Sequence, residues 1–350
     1  MDLTLKEFGW KAHFQQQLAG DDHLNSRVAR VMRVHRESID ISGPKIKIRI
    51  PPFVGNNSDE EDISTVGDWL VLDEDCTRAV RRLKRYSLFK RLAAGKGRRL
   101  QLIAANVDTA FIVSSCNLDF NIARIERFLS LTKEAQVMPV VVLTKADLAV
   151  DPAFYAEQVK VAMPGVLVEV LNALVAEEVE KLRPWCERGD TVAMLGMSGV
   201  GKSTLLNTLA GYEVQKTQSV REIDARGRHT TSARSIHRLD TGGWLIDMPG
   251  MREIQLIDAE QGIDDVYAYI SVIAENCRFS DCRHGSEPGC AVSEAIEEGK
   301  IDVDQLDRFY KLLHETGRNK EALAERHHRS RVFGKMIKQP KSKRQNIGED

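Results

Sequence analysis

The stretch "AMLGMSGVGKSTLLNTLAG" (193–211) decides how the rest of the chain is read. An apolar run enters a glycine-rich turn and a helix-forming run leaves it. Within it, "GMSGVGKS" (196–203) matches G-x-x-x-x-G-K-[ST] in full, after a strand pattern and before a helix pattern. Small residues let consecutive backbone N–H groups turn toward an anion at a helix N-terminus. Gly196, Met197, Ser198, Gly199, Val200, Gly201, Lys202, Ser203 and Thr204 are therefore expected to hold nucleotide phosphates. Lys202 is expected at the β- and γ-phosphates, and the Ser203 hydroxyl on Mg²⁺.

On the N-terminal side the chain alternates between strand and helix patterns, as a doubly wound α/β domain does. "TAFIVSS" (109–115), "MPVVVLT" (138–144), "GVLVEVLNA" (165–173), "DTVAMLG" (190–196) and "GGWLIDMPG" (242–250) read as strands. "NIARIERFLSLTKEA" (121–135) places Ile122, Ile125, Phe128 and Leu129 on one helical face. The tetrapeptide "TKAD" (144–147) resembles the N/T-K-x-D element of translation-factor-class GTPases. There Asp147 would accept from guanine N1–H and N2–H₂, a donor pair adenine lacks, while Lys145 lies over the base and Thr144 and Ala146 complete the element. On the C-terminal side "DMPG" (247–250) fits D-x-x-G, with Asp247 directed to Mg²⁺ and the Gly250 N–H to the γ-phosphate. Between them "RGRHTTSAR" (226–234) offers Thr230 or Thr231 as a second Mg²⁺ hydroxyl, and Thr231 is the choice. The order is base element, P-loop, threonine segment, D-x-x-G. A Ras-like domain has the base element last, so the order implies a circular permutation, which preserves a spatial site while changing the free ends.

Before this domain, Arg27 to about Leu100 contains five short β-type runs: "RVARVMRVH", "IDISG", "KIKIRI", "DWLVLDE" and "AVRRLKRY". They suggest a small barrel, of OB type first and SH3-like second. Residues 1–24 read as a short helix and a polar connector. After about Ala259 the chain reads as helical, interrupted by Cys277, Cys282, His284 and Cys290. The spacing C-x₄-C-x-H-x₅-C supplies three thiolates and one imidazole, a closed set for one structural Zn²⁺. Cys76, Cys116 and Cys186 are scattered and read as reduced side chains.

Lys and Arg total 50 against 51 Asp and Glu, so nucleic-acid binding must use local patches rather than bulk charge. One candidate is "RRLKRYSLFKR" (81–91), in which Arg81, Arg82, Lys84, Arg85, Lys90 and Arg91 interleave with Tyr86 and Phe89. The other is the basic run 316–344, whose tail from 326 shows no core-forming periodicity. No run approaches the length of a membrane span and the N-terminus lacks a signal pattern, so a cytoplasmic protein is expected.

Taken together, "TKAD", "GMSGVGKST", "GRHTT", "DMPG" and "CRFSDCRHGSEPGC" resemble the RsgA (YjeQ/YloQ) family of circularly permuted, small-ribosomal-subunit assembly GTPases, from about residue 27 to 315. The resemblance implies a multidomain α/β protein. Its units would be an N-terminal extension (1–26), an OB-fold barrel (27–104), a circularly permuted GTPase domain (105–258), a helical zinc-binding subdomain (259–325) and a basic tail (326–350). It also implies GTP and GDP as ligands, the 30S subunit and 16S rRNA as partners, a monomer, and slow hydrolysis stimulated by the 30S subunit. His229 matches the family's G-x-H-T-T histidine, thought to orient the attacking water. Met251, where Ras-like enzymes carry a glutamine, cannot polarise water, which leaves His229 for catalysis or, alternatively, for contact with RNA. The fifth guanine element departs from the family, with Asn172–Ala173 standing where a serine is usual and offering backbone N–H groups to the base. A nucleotide-gated rRNA-binding or chaperone module with incidental hydrolysis is the rival, disfavoured by an intact Lys202 and Ser203.

Overall fold

The computed structural model describes residues 3–18, 27–55, 60–92, 100–214, 234–248, 256–285 and 287–338. His229, Thr230, Thr231, Gly250 and Met251 lie outside the described residues.

After a four-residue helix, α1 (Ala12–Gln15), all five expected barrel runs form strands: β1 (Val28–Val34), β2 (Ile39–Gly43), β3 (Ile46–Ile50), β4 (Trp69–Leu72) and β5 (Ala79–Arg82). Antiparallel pairing gives the order β3-β2-β1-β4-β5, that of a partly open OB-type barrel. Alternation turns Ala29, Val31, Ile39, Ile41, Leu70 and Leu72 into its own core. A bulge between Val31 and Arg33 bends β1, as curling a sheet requires. Next, β6 (Leu88–Leu92) and β7 (Leu100–Ala105) pair as a separate hairpin that the sequence reading did not distinguish.

The alternating region follows as β8 (Thr109–Ser115), α2 (Ile122–Glu134), β9 (Met138–Thr144), α3 (Pro152–Ala162), β10 (Leu167–Val170), α4 (Ala176–Val179), β11 (Thr191–Leu195), α5 (Lys202–Ala210), β12 (Arg234–Arg238) and β13 (Trp244–Asp247). Strands β8, β9 and β11 are apolar without alternation because helices cover both faces. Helix starts follow local chemistry: Asn121 caps α2 through the Arg124 N–H, and Asp151 caps α3 ahead of Pro152. The spatial order is β10-β9-β8-β11-β13-β12, parallel except for β12. The P-loop strand β11 thus lies at the centre although it comes late in sequence.

Strand β12 was not expected. It pairs with β13 on one side and, through Ser235 and Arg234, with Arg33 and Val34 of β1 on the other. Barrel and GTPase domain therefore share one sheet of eleven strands. "RSIHR" is short and polar, with Ile236 buried at 8% exposure, so it carries too little apolar pattern to be read as a strand.

The N-terminal extension packs into the same junction. Phe8 stacks on Trp244 (ring centroids 5.6 Å apart, 13° between planes), and Trp10 and Phe14 pack on Trp69. Beneath them Arg30, 1% exposed, donates to Phe8 O (2.7 Å) and Thr191 Oγ1 (2.8 Å). The buried guanidinium thus joins extension, barrel and the start of the P-loop strand.

The C-terminal part comprises α6 (Glu260–Val266), α7 (Ala268–Ala274), α8 (Ala291–Glu297) and the 36-residue α9 (Val303–Lys338). Helix α9 runs through the start of the basic tail, which the sequence reading had separated at residue 326. Arg308 and Glu315 of α9 pair with Glu126 and Arg127 of α2, docking this part on the GTPase domain.

Candidate functional site

At the C-terminal end of β11 the chain turns through Gly196, at φ 149°, where a Cβ would meet Val113 O at 2.4 Å. Only glycine fits so close to the neighbouring strand. Gly201, at φ 97°, ends the turn and α5 begins at Lys202. The loop expected from "GMSGVGKS" is thus formed between the end of β11 and the N-terminus of α5, the position at which helix geometry favours an anion. Lys202 Nζ lies over the loop, donating to Gly196 O (2.8 Å) and to Met197 O.

The element "TKAD" reaches this loop from two strands away. Thr144 ends β9 fully buried, and its Oγ1 donates to Ser114 O (3.1 Å) and to Val200 O inside the P-loop. Thr144 therefore ties the base element to the phosphate loop across the end of β8. Lys145, in the left-handed region at φ 57°, turns the chain so that Asp147 is exposed in the 3-10 turn Ala146–Leu148.

Residues 172–174, expected as the fifth guanine element, form a defined turn without the usual serine. Leu171 donates to Leu143 O (2.9 Å), and the Ala146 N–H donates to Leu171 O (3.4 Å), which sets residues 172–174 beside the base element. Asn172 Oδ1 accepts from the Leu174 N–H (3.0 Å), an Asx turn. The Asn172 N–H, expected at the base, instead donates to Glu178 Oε2 at 2.7 Å. Ala173 O accepts from Thr208 Oγ1 of α5 (2.7 Å). Neither Glu178 nor Thr208 was singled out in the sequence, since neither belongs to a motif.

Asp247 ends β13 opposite Ser235 of β12, so the D-x-x-G strand adjoins the P-loop strand on one side and, through β12, the barrel on the other. The residues expected at the γ-phosphate and the water, Thr231, Gly250 and His229, lie outside the described residues.

The four residues expected to bind zinc come together. The ligand atoms of Cys277, Cys282, His284 and Cys290 lie within 4.8 Å of one another. His284 Nδ1 is 3.5 Å from Cys277 Sγ and from Cys290 Sγ, and those two sulfurs are 4.0 Å apart. A tetrahedral Zn²⁺ with ordinary bond lengths needs S···S separations of about 3.8 Å and S···N of about 3.5 Å, so the set fits the ion. His284 adopts φ 57° to aim its ring inward, and Cys290 Sγ accepts from the Ser293 N–H (3.3 Å) at the start of α8. Burial pushes the Cys290 thiol up, but Ser293 and His284 outweigh it and hold it down to about 6, near the thiolate a metal takes.

The first basic patch needs correction. Arg85 is 7% exposed and pairs with the fully buried Asp68, Arg82 pairs with Asp62, and Lys90 lies between Glu61 and Asp258. Phe89 is in the core, and Tyr86 OH donates to Asp108 Oδ1 (2.9 Å). Arg82 and Arg85 are thus engaged in pairs within the barrel region and Lys90 also reaches Asp258 outside it, rather than facing a polyanion; Arg81 and Lys84 are exposed. Among the described residues, no helix is long and apolar enough to cross a membrane.

Comparison with known proteins agrees with this geometry. A family model described as RsgA GTPase matches residues 82–257. A Vibrio parahaemolyticus protein named small ribosomal subunit biogenesis GTPase RsgA 2 is 49% identical over 336 residues, covering 95% of this chain and 92% of its own length. A Mesorhizobium japonicum protein named small ribosomal subunit biogenesis GTPase RsgA is 44% identical over 319 residues, 90% of this chain and 91% of its own. Two crystal structures share the fold. YjeQ from Thermotoga maritima has a TM-score of 0.58 at 24% identity, covering 82% of this chain and 98% of its own. YloQ, a circularly permuted GTPase, has a TM-score of 0.57 at 20% identity, covering 84% of this chain and 96% of its own.

Proposed function

The chain belongs to the RsgA family of GTPases, and from that premise we propose that it hydrolyses GTP as a step in maturation of the small ribosomal subunit. The observation that carries this reading is the bond from Thr144 Oγ1 to Val200 O, which joins a guanine-reading element to a phosphate loop within one site. GTP fits that site with its phosphates on the backbone of Gly196–Thr204, Lys202 at the β- and γ-phosphates, and its base against Lys145 and Asp147. The hydroxyls of Ser203 and Thr231 and the carboxylate of Asp247 would hold Mg²⁺, which neutralises charge on the transferring phosphoryl group. Gly250 senses the γ-phosphate and His229 orients the attacking water.

The protein acts in the cytoplasm as a monomer, binding the 30S subunit and 16S rRNA when loaded with GTP and leaving after hydrolysis to GDP. One structural Zn²⁺ held by Cys277, Cys282, His284 and Cys290 keeps the C-terminal subdomain folded. Turnover is slow alone and rises with 30S subunits.

GTP hydrolysis measured with and without purified 30S subunits, at two salt concentrations, tests this. Stimulation that falls at higher salt is expected, because contacts to RNA phosphates release counterions. An unstimulated rate at both salts would refute the ribosomal reading. An unchanged stimulated rate in His229→Ala would refute that residue's role.

A further inference from the structure

The stretch expected as the fifth guanine element lacks the serine that the resemblance implies, yet it is not loose. Residues 172–174 are held from three directions. The Asn172 side chain closes its own turn on Leu174, Glu178 Oε2 takes the Asn172 N–H at 2.7 Å, and Thr208 Oγ1 donates to Ala173 O at 2.7 Å. Thr208 lies on α5, the helix that begins at the phosphate-binding Lys202, and its hydroxyl also contacts Thr204 O (3.1 Å). The loop is thereby referenced to the phosphate site as well as to the neighbouring "TKAD".

With the Asn172 N–H given to Glu178, the donor remaining for a base is the Ala173 N–H, which among the described residues donates to no other group. A peptide N–H is aimed by its plane. The Ala173 N–H shares its plane with Asn172 O, which accepts from the Val175 N–H (3.0 Å), and Glu178 and Thr208 hold the peptide planes on either side, so little freedom is left in its direction. Guanine presents O6 as an acceptor next to its N1–H; adenine presents a donor at that place. A fixed N–H beside Asp147 therefore discriminates by donating to O6 and opposing an amino group.

We infer that Thr208 and Glu178 are positioning residues for base selection: they replace the missing serine by fixing Ala173 so that its N–H meets guanine O6. The inference rests on the GTP reading of the site and adds the residues that set its specificity. Neither side chain touches the base. Removing the Thr208 hydroxyl leaves the Ala173 carbonyl, 5% exposed as a residue, without that donor, and the loop must move to find another.

The test is equilibrium binding to the full chain of three nucleotides: GTP, inosine triphosphate and 2-aminopurine riboside triphosphate. The first two carry O6 and the third does not. In Thr208→Val and Glu178→Leu, GTP and inosine triphosphate weaken by the same factor, between about twofold and tenfold for one lost hydrogen bond, while the third is unchanged. Thr208→Ser and Glu178→Gln retain the bond-forming oxygens and bind as the parent does. Equal weakening of all three nucleotides would mean that the residues only support the site, and no weakening would mean that the loop is aimed by something else; either overturns the inference. So would Ser and Gln variants no better than Val and Leu. Failure of the underlying reading looks different: the unsubstituted protein would then bind GTP no better than the analogue without O6.

Discussion

Replacing Arg308 by methionine isolates the force that docks the long C-terminal helix. Arg308 Nε lies 2.6 Å from Glu126 Oε2, with the two side chains 21% and 1% exposed. Burial pushes the Glu126 carboxyl up, and Arg308 opposes that rise by hydrogen bond and charge. Without Arg308 a buried carboxylate is left with no compensating cation, a loss of about 3–5 kcal/mol. At about 1.4 kcal/mol per factor of ten, amide exchange in the docked part of α9 should quicken at least a hundredfold at pH 7 in Arg308→Met. The pH dependence has a definite sign. A carboxyl whose folded value is raised favours the fold most below the ordinary carboxylate range and loses that contribution as pH rises through the raised value. The deficit of Arg308→Met should therefore shrink on acidification, as Glu126 takes a proton and ceases to be a buried charge. Glu126→Gln with Arg308→Met should recover most of the loss, because a neutral pair leaves no buried charge. A deficit that is independent of pH, or a double variant as open as the single one, would refute the argument.

Other outcomes follow from the same contacts. Arg85→Met should destabilise the barrel by about 3–5 kcal/mol by stranding the buried Asp68, read by urea unfolding, while Arg81→Ala and Lys84→Ala change stability by less than about 0.5 kcal/mol. Phe8→Ala removes a ring stacked on Trp244 and should cost about 3 kcal/mol, seen as earlier tryptophan fluorescence change in urea. Metal analysis should find one zinc per chain, and Cys290→Ser or a strong chelator should remove it and expose the α8 region to protease. Asp147→Asn should alter the ratio of GTP to inosine triphosphate affinity, since the carboxylate's partner N2–H₂ is present in only one of them.

How far the sequence reaches depends on whether a residue's role is local. The P-loop is legible because its chemistry is contiguous: glycines, lysine and serine act within one turn, and the structure forms that turn. The five barrel strands and the apolar strands β8, β9 and β11 are legible because burial on one or both faces leaves a period along the chain. The four expected zinc ligands are legible because thiolate and imidazole donors recur at short spacing along the chain. The patch at 81–91 was misleading for the opposite reason. A run of arginines shows charge but not partners, and Asp62, Asp68 and Asp258 that neutralise it come from other segments.

By itself, then, the sequence determined that a phosphate loop and a T-K-x-D element stand in permuted order, with a barrel before and a Cys/His cluster after. Only the tertiary structure decided what joins them. Thr144 reaches the P-loop through a hydroxyl bond spanning 56 residues, β12 carries the GTPase sheet into the barrel, and Arg30 binds three segments at their junction. Thr208 and Glu178 likewise acquire their role from a loop that only folding brings beside them. A hydrogen bond between distant segments leaves no period or spacing along the chain, because its energy depends on where two groups meet in space and not on how far apart they stand in sequence.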